Sequence, residues 1–131
     1  MRAAATLGGG DIVGRLGVVV CALVVALASG VSAHHEGFRG NALYYSDEYA
    51  GDAMACGPKY QPWKMVAAHR SLPCGTELRV RNVANGKLVT VTVQDRGPYT
   101  DGYMLDVSRR AAEKLGFIRQ GSAKIRAIIR H

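Results

Sequence analysis

Valine and threonine alternate along Val89, Thr90, Val91, Thr92 and Val93, and the run ends in Gln94-Asp95-Arg96-Gly97-Pro98. Period-two patterning of β-branched residues predicts a strand over Val89–Gln94 with one face buried. Gly97-Pro98 stops it, because proline has no amide for a ladder and glycine favours a turn. Leu78, Val80 and, past Asn82, Val83 predict a strand over Glu77–Val83, and Asn85-Gly86 reads as a two-residue hairpin joining the two. Shorter strands are expected at Ala42–Ser46, at Tyr103–Val107 and at the C-terminus, where Ile125, Ala127 and Ile129 alternate with basic residues. Apolar patches at Tyr60–Trp63 and Met65–Ala68 lead into a turn forced by Pro73 and Gly75. Ser108 supplies the N-cap for one helix, Arg109–Leu115, with Ala111, Ala112 and Leu115 as its apolar stripe and Gly116 at its end. Many short strands without a βαβ rhythm predict a small closed β-barrel, which leaves no strand edge free.

The first third breaks that pattern. Leu16–Ala28 is a continuous apolar run after Arg2 and Arg15, and Val31-Ser32-Ala33 fits a small-residue cleavage site. Residues 1–33 therefore read as a secretory signal peptide, 34–41 as a loose polar lead-in and 42–131 as the barrel domain. An uncleaved anchor is the other reading, since the run with its tail approaches the lower spanning length of about 17 residues. Cys21 lies mid-run rather than at its end, which argues against lipidation. The expected location is the periplasm or cell envelope, with no membrane span after cleavage.

Of the formal net charge of +7, the leader holds only Arg2, Arg15 and Asp11, so the remainder carries +6. A basic exported domain suits an anionic polymer of the wall or surface. Its dispersed basic residues and export signal argue against nucleic acid. Two of the three cysteines follow the leader, Cys56 and Cys74. In an oxidising compartment they predict a disulfide, closing a loop of about 18 residues for roughly 3 kcal/mol; a catalytic thiol is the alternative. His34-His35 lacks a downstream ligand pair and reads as a solvated tail, so no metal is expected. No phosphate loop or nucleophile elbow follows the leader, and no organic cofactor is implied.

Asp95 is the residue with candidate chemistry. Alternation turns it with the valines toward the covered side, where an unpartnered carboxylate is costly and a general acid with a raised pKa is at home. A carboxylate capping the turn amides is the equally simple alternative.

Several stretches are shared with a known family: A-L-Y-Y at Ala42, A-C-G at Ala55, M-V-A-A-H-R-S-L-P-C-G-T at Met65, V-Q-D-R-G-P-Y at Val93 and L-D-V-S-R-R-A-A-E-K-L-G at Leu105. In order and spacing the chain resembles the rare lipoprotein A (RlpA) family of lytic transglycosylases. The resemblance implies a mainly β fold, a six-stranded double-psi β-barrel with one short helix. It also implies a peptidoglycan glycan strand as substrate, cut between N-acetylmuramic acid and N-acetylglucosamine with a 1,6-anhydro end. The sugar's own 6-hydroxyl attacks, so one carboxyl can protonate the leaving oxygen and then act as base. On this reading Asp95 is the acid/base and His69 its orienting partner, with Arg96, Tyr99, Tyr44 and Arg70 along the substrate groove of a monomer. A histidine that merely holds the Pro73 turn is the plainer reading of His69. Where the family carries a glutamate after A-x-G, this chain has Pro58, and Gln61 replaces a further acid. Catalysis then rests on Asp95 with His69, or on a substitute such as Asp52 or Glu48. The rival expectation is a non-catalytic, expansin-like wall-binding module.

Overall fold

A computed structural model describes residues 35–131; the expected signal peptide lies outside the described residues. Six strands are formed: β1 Gly37–Tyr44, β2 Val66–Ala68, β3 Glu77–Asn82, β4 Leu88–Asp95, β5 Tyr103–Val107 and β6 Ala123–Arg130. They close into a barrel in the order β1-β5-β2-β4-β3-β6, with β1–β5 and β2–β4 parallel and the other pairs antiparallel. The inward alternation of Leu78, Val80, Val89, Val91, Val93, Leu105, Val107, Ile125 and Ala127 fills the interior, and helix α1, Arg109–Leu115, seals it with Ala111, Ala112 and Leu115. Each such aliphatic side chain contributes about 1.5–3 kcal/mol when removed from water. The barrel and its core lie wholly within His35–His131, one compact unit, so this segment contains everything the fold requires.

Two boundaries differ from the expectation. The lead-in is not loose, because β1 starts at Gly37 and pairs with β6 from Gly37↔Ile128 to Ala42↔Ala123. This half of the strand is held by backbone pairing, and the approach is so close that a Cβ at Gly37 would strike the Ala127 carbonyl. No apolar alternation announces it.

The β3–β4 connection, 83–87, is also longer than the two-residue hairpin expected at Asn85-Gly86. Asn82 takes the inward position and Val83 is exposed. Asn82 Nδ2 donates to the Leu115 carbonyl at 2.9 Å while its Oδ1 accepts from the Ala84 amide at 3.0 Å, and Asn85 Nδ2 reaches the same Leu115 carbonyl at 3.0 Å. The loop is thus folded back to satisfy the end of α1, whose last carbonyls lack helical partners. Asn82→Ala removes the buried one of the two donors to the Leu115 carbonyl and leaves the part-buried Ala84 amide without its acceptor, and urea unfolding is expected to show a loss of roughly 1–2 kcal/mol. The exposed Asn85→Ala change should cost clearly less.

The helix start and stop follow the sequence expectation. Ser108 Oγ accepts from the Ala111 amide at 3.3 Å, and Gly116 closes the helix in the left-handed region at φ 78°.

Candidate active site

The site is produced by one irregularity in β4. Ala67 pairs with Val93, but the next residue, Ala68, pairs with Asp95, so Gln94 is an extra residue on β4. Such a bulge turns the chain that follows it onto the other face. Asp95 therefore does not point with the valines into the barrel. It shares the face of Ala68, which belongs to a second apolar cluster with Tyr45, Met54, Tyr60 and Val66 on the outside of the barrel. On the other side of β2, Ala68 pairs with Asp106 of β5. Two carboxyls thus flank one alanine on the same face, their backbones roughly 10 Å apart by strand spacing.

The loop between β1 and β2 covers this face and leaves a cleft of about 370 Å³ with Asp95 and Asp106 in its lining. Exposed Tyr49 and Tyr99 stand at its rim, and Asp52 also lines it. Asp95 is heavily engaged. Its Oδ1 accepts from the amides of Ala55 at 2.8 Å and Arg96 at 2.9 Å, and its Oδ2 accepts from the Tyr45 hydroxyl at 2.7 Å. Burial, and then the hydrogen bond to Asp95, push the Tyr45 hydroxyl far above the usual phenol range, so it remains a protonated donor. Tyr45 is held by Tyr60, edge-on at 4.3 Å between ring centroids, and Tyr60's own hydroxyl accepts from the Arg109 amide at 3.1 Å.

Asp106 is the opposite case. Its Oδ1 is buried and, among the described residues, has no hydrogen-bond partner. Burial, and secondly the nearby charge of Asp95, push its carboxyl up to about 7. The cleft therefore pairs a carboxyl that accepts three hydrogen bonds and keeps acceptor capacity on Oδ2 with a carboxyl pushed up to about 7.

Of the residues expected at the site, Asp95, Arg96 and Tyr99 line the cleft. His69 is not joined to Asp95 through its side chain. Its Nδ1 accepts from the amides of Ser71 and Leu72, both at 3.1 Å, which makes it the holder of the Pro73 turn. Burial, and then the charges of Arg96 and Arg70, lower its pKa. The partner role expected of it is taken by Tyr45. The two arginines act as reciprocal clasps: Arg96 Nη1 donates to the carbonyls of Leu72 at 2.7 Å and His69 at 3.1 Å, while Arg70 Nε donates to Pro98 at 2.7 Å. Their guanidinium groups are committed to fixing the loops on either side of the cleft. Tyr44 points elsewhere, donating to the Ile118 carbonyl at 3.0 Å and packing on Phe117.

Cys56 and Cys74 form the expected disulfide. It ties the covering loop to the β2–β3 loop beside Gln94, whose carbonyl accepts from the Cys56 amide at 3.0 Å. Pro58 and Gln61 border a separate recess with Lys59 and Lys64, and of the proposed substitute acids Asp52, not Glu48, reaches the cleft. Among the described residues no group of three or more His, Cys, Asp or Glu side chains could hold a metal ion.

Sequence reasoning missed Tyr45 and Asp106. Both lie in shared stretches, A-L-Y-Y and L-D-V-S, and a charged residue between the buried Leu105 and Val107 was the available signal for Asp106.

The sequence model of the lytic transglycolase family matches residues 38–127. A probable endolytic peptidoglycan transglycosylase RlpA of Nostoc sp. is 47% identical over 91 residues, covering 68% of this chain and 24% of that protein. The endolytic peptidoglycan transglycosylase RlpA of Neisseria meningitidis is 42% identical over 87 residues, covering 66% and 36%. This chain therefore spans only about a quarter to a third of the length of these curated relatives. Among solved structures, an expansin of Clavibacter michiganensis superposes with a TM-score of 0.59 at 27% identity, over 73% of this chain and 51% of that one. A Streptomyces papain inhibitor shares the fold with a TM-score of 0.58 at 24% identity, over 72% and 96%.

Proposed function

The chain belongs to the lytic transglycolase family, and on that premise we propose that it is an endolytic peptidoglycan transglycosylase whose acid is Asp106 and whose base is Asp95. The observation that carries this reading is the unequal pair flanking Ala68 and open to one cleft: Asp106, whose buried Oδ1 has no hydrogen-bond partner among the described residues, and Asp95, an acceptor from three donors. Asp106 gives its proton to the leaving O4 of N-acetylglucosamine as the C1–O4 bond breaks. The 6-hydroxyl of N-acetylmuramic acid bonds to C1, and its proton passes to Asp95, where the Tyr45 hydroxyl can turn from donor to acceptor. Exchange with solvent resets the two carboxyls. A general acid titrating near the working pH is the most effective kind. Both proton transfers use residues present here, so Pro58 at the family's glutamate position does not remove the chemistry. The protein works as an exported monomer in the periplasm or cell envelope on glycan strands, without a metal or organic cofactor.

The second reading is an expansin-like wall-binding module that has lost catalysis, which Pro58 and the likeness to the Clavibacter expansin favour. Digestion of purified peptidoglycan with residues 35–131, read by mass spectrometry, separates the two. Anhydro-muramyl fragments are expected; their absence, with the protein sedimenting on the same glycan, would establish the binding module instead.

A further inference from the structure

The outer face of the barrel opposite the cleft carries an uncompensated row of cations. Arg39 of β1 lies directly opposite Arg126 of β6, which lies directly opposite Arg81 of β3, so three guanidinium side chains stand side by side across three strands. All three are exposed. Arg79 and Lys124 extend the patch on the same outward positions, and the only acid facing outward from these strands is Glu77, at the far end of β3. Among the described residues the ion pairs involve only Arg109 and Arg110 with Asp47 and Glu113, so none neutralises this row. Arg81 merely leans on the Gly86 carbonyl at 3.4 Å. Like charges directly opposite on neighbouring strands work against the sheet. The arrangement makes physical sense if an anionic surface covers it.

Apolar side chains among the cations narrow the choice of surface. Leu88 stands outward beside Arg81 and is 39% exposed, Val83 beside the β6 residue Lys124 is 58% exposed, and Ile128 follows Arg126 on the outer side of β6. A soluble polyanion has no use for them, whereas a lipid headgroup layer accepts both the arginines and the small apolar tips. In the closed order of strands, β6 is three strands from β2 in either direction, so the row is opposite Ala68 and its carboxyls.

We propose that the β1–β6–β3 face docks on an anionic phospholipid surface and holds the barrel with its cleft turned away from that surface. Recognition is by guanidinium groups on lipid phosphates, with Leu88 and Val83 entering the headgroup layer. The inference stands on charge, register and exposure alone and does not depend on the transglycosylase reading.

The test is sedimentation of residues 35–131 with phosphatidylcholine vesicles containing or lacking phosphatidylglycerol. Binding is expected only to the anionic vesicles and should weaken as salt is raised. The triple variant Arg39→Gln, Arg81→Gln, Arg126→Gln is expected to lose roughly a hundredfold in affinity, with an unfolding midpoint no lower than that of the parent, since it relieves repulsion. The double variant Val83→Ser, Leu88→Ser should weaken vesicle binding while leaving binding to soluble polyphosphate in place. Vesicle binding undiminished in the triple variant would overturn the proposal. So would tight binding to polyphosphate with none to anionic vesicles, which would assign the face to a soluble polymer. Cleavage of soluble glycan is expected to be the same for the parent and both variants, so an inactive protein leaves this test intact.

Discussion

Asp106→Asn is expected to lower the release of anhydro-ended fragments by a factor of roughly 10²–10⁴, the range removed with a positioned general acid. The amide preserves shape and volume but has no acidic proton for the leaving oxygen. Activity of the parent should fall as pH rises through about 7, because Asp106 must carry its proton to act and its carboxyl is pushed up to about 7. Asp95→Asn is expected to lose a similar factor for a different reason. It removes the acceptor of the 6-hydroxyl proton and turns an amide nitrogen toward one of three existing donors, Tyr45, Ala55 or Arg96. Initial rates on purified glycan, with products counted by mass spectrometry, read all three effects. A nearly unchanged rate for Asp106→Asn beside an inactive Asp95→Asn would return both proton transfers to Asp95 alone.

How much of this was legible in the sequence depends on what holds each element. Where side-chain alternation builds the strand, as in β3, β4 and β6, pattern located it, and the Ser108 and Gly116 caps bounded α1 closely. Where backbone pairing builds it, pattern was silent: the first half of β1 has glycines at 37 and 40 and no apolar period. The disulfide followed from counting cysteines in a chain whose leader predicts export.

The site was harder, because it sits on the outer side of the barrel. Alternation tells which residues leave the interior but not what lies over them. Asp106 leaves it between Leu105 and Val107, and only the fold shows that the loop carrying Tyr45, Met54 and Tyr60 roofs that position. The bulge at Gln94 compounds this, since a strict period of two puts Asp95 on the wrong face and hides its relation to Asp106. His69 shows the converse case. A histidine in a shared stretch invites a partnership with Asp95, yet its Nδ1 is used by two turn amides. Tyr44 and Tyr45 are adjacent, and choosing between them required knowing which side of β1 the cleft occupies.

The same carboxyl should leave a mark on stability, with the sign opposite to its effect on activity. In the unfolded chain Asp106 titrates near 3.8, whereas burial first and the charge of Asp95 second raise it to about 7 in the fold. Protonation therefore favours the native state. The associated stability is fully present below about pH 4 and is lost as pH rises through about 7, by up to about 4 kcal/mol. Asp106→Asn cannot ionise, so its urea-unfolding free energy should lack this decline. Relative to the parent, the variant should gain about 3–4 kcal/mol between pH 4 and pH 8, a comparison that cancels any fixed cost of burying the amide. Asp95→Asn removes only the second cause and should reduce the decline without abolishing it. Parallel curves for the parent and Asp106→Asn would mean that Asp106 ionises freely in the fold, and the assignment of the acid would fall with it. If the curves diverge as expected, the divergence must build up from about pH 4 and level off near pH 7, where the cleavage rate begins to fall, because ionisation of Asp106 in the fold both ends the divergence and removes the acid. A buried carboxyl that weakens the fold at the working pH is then explained by the reaction that uses its proton.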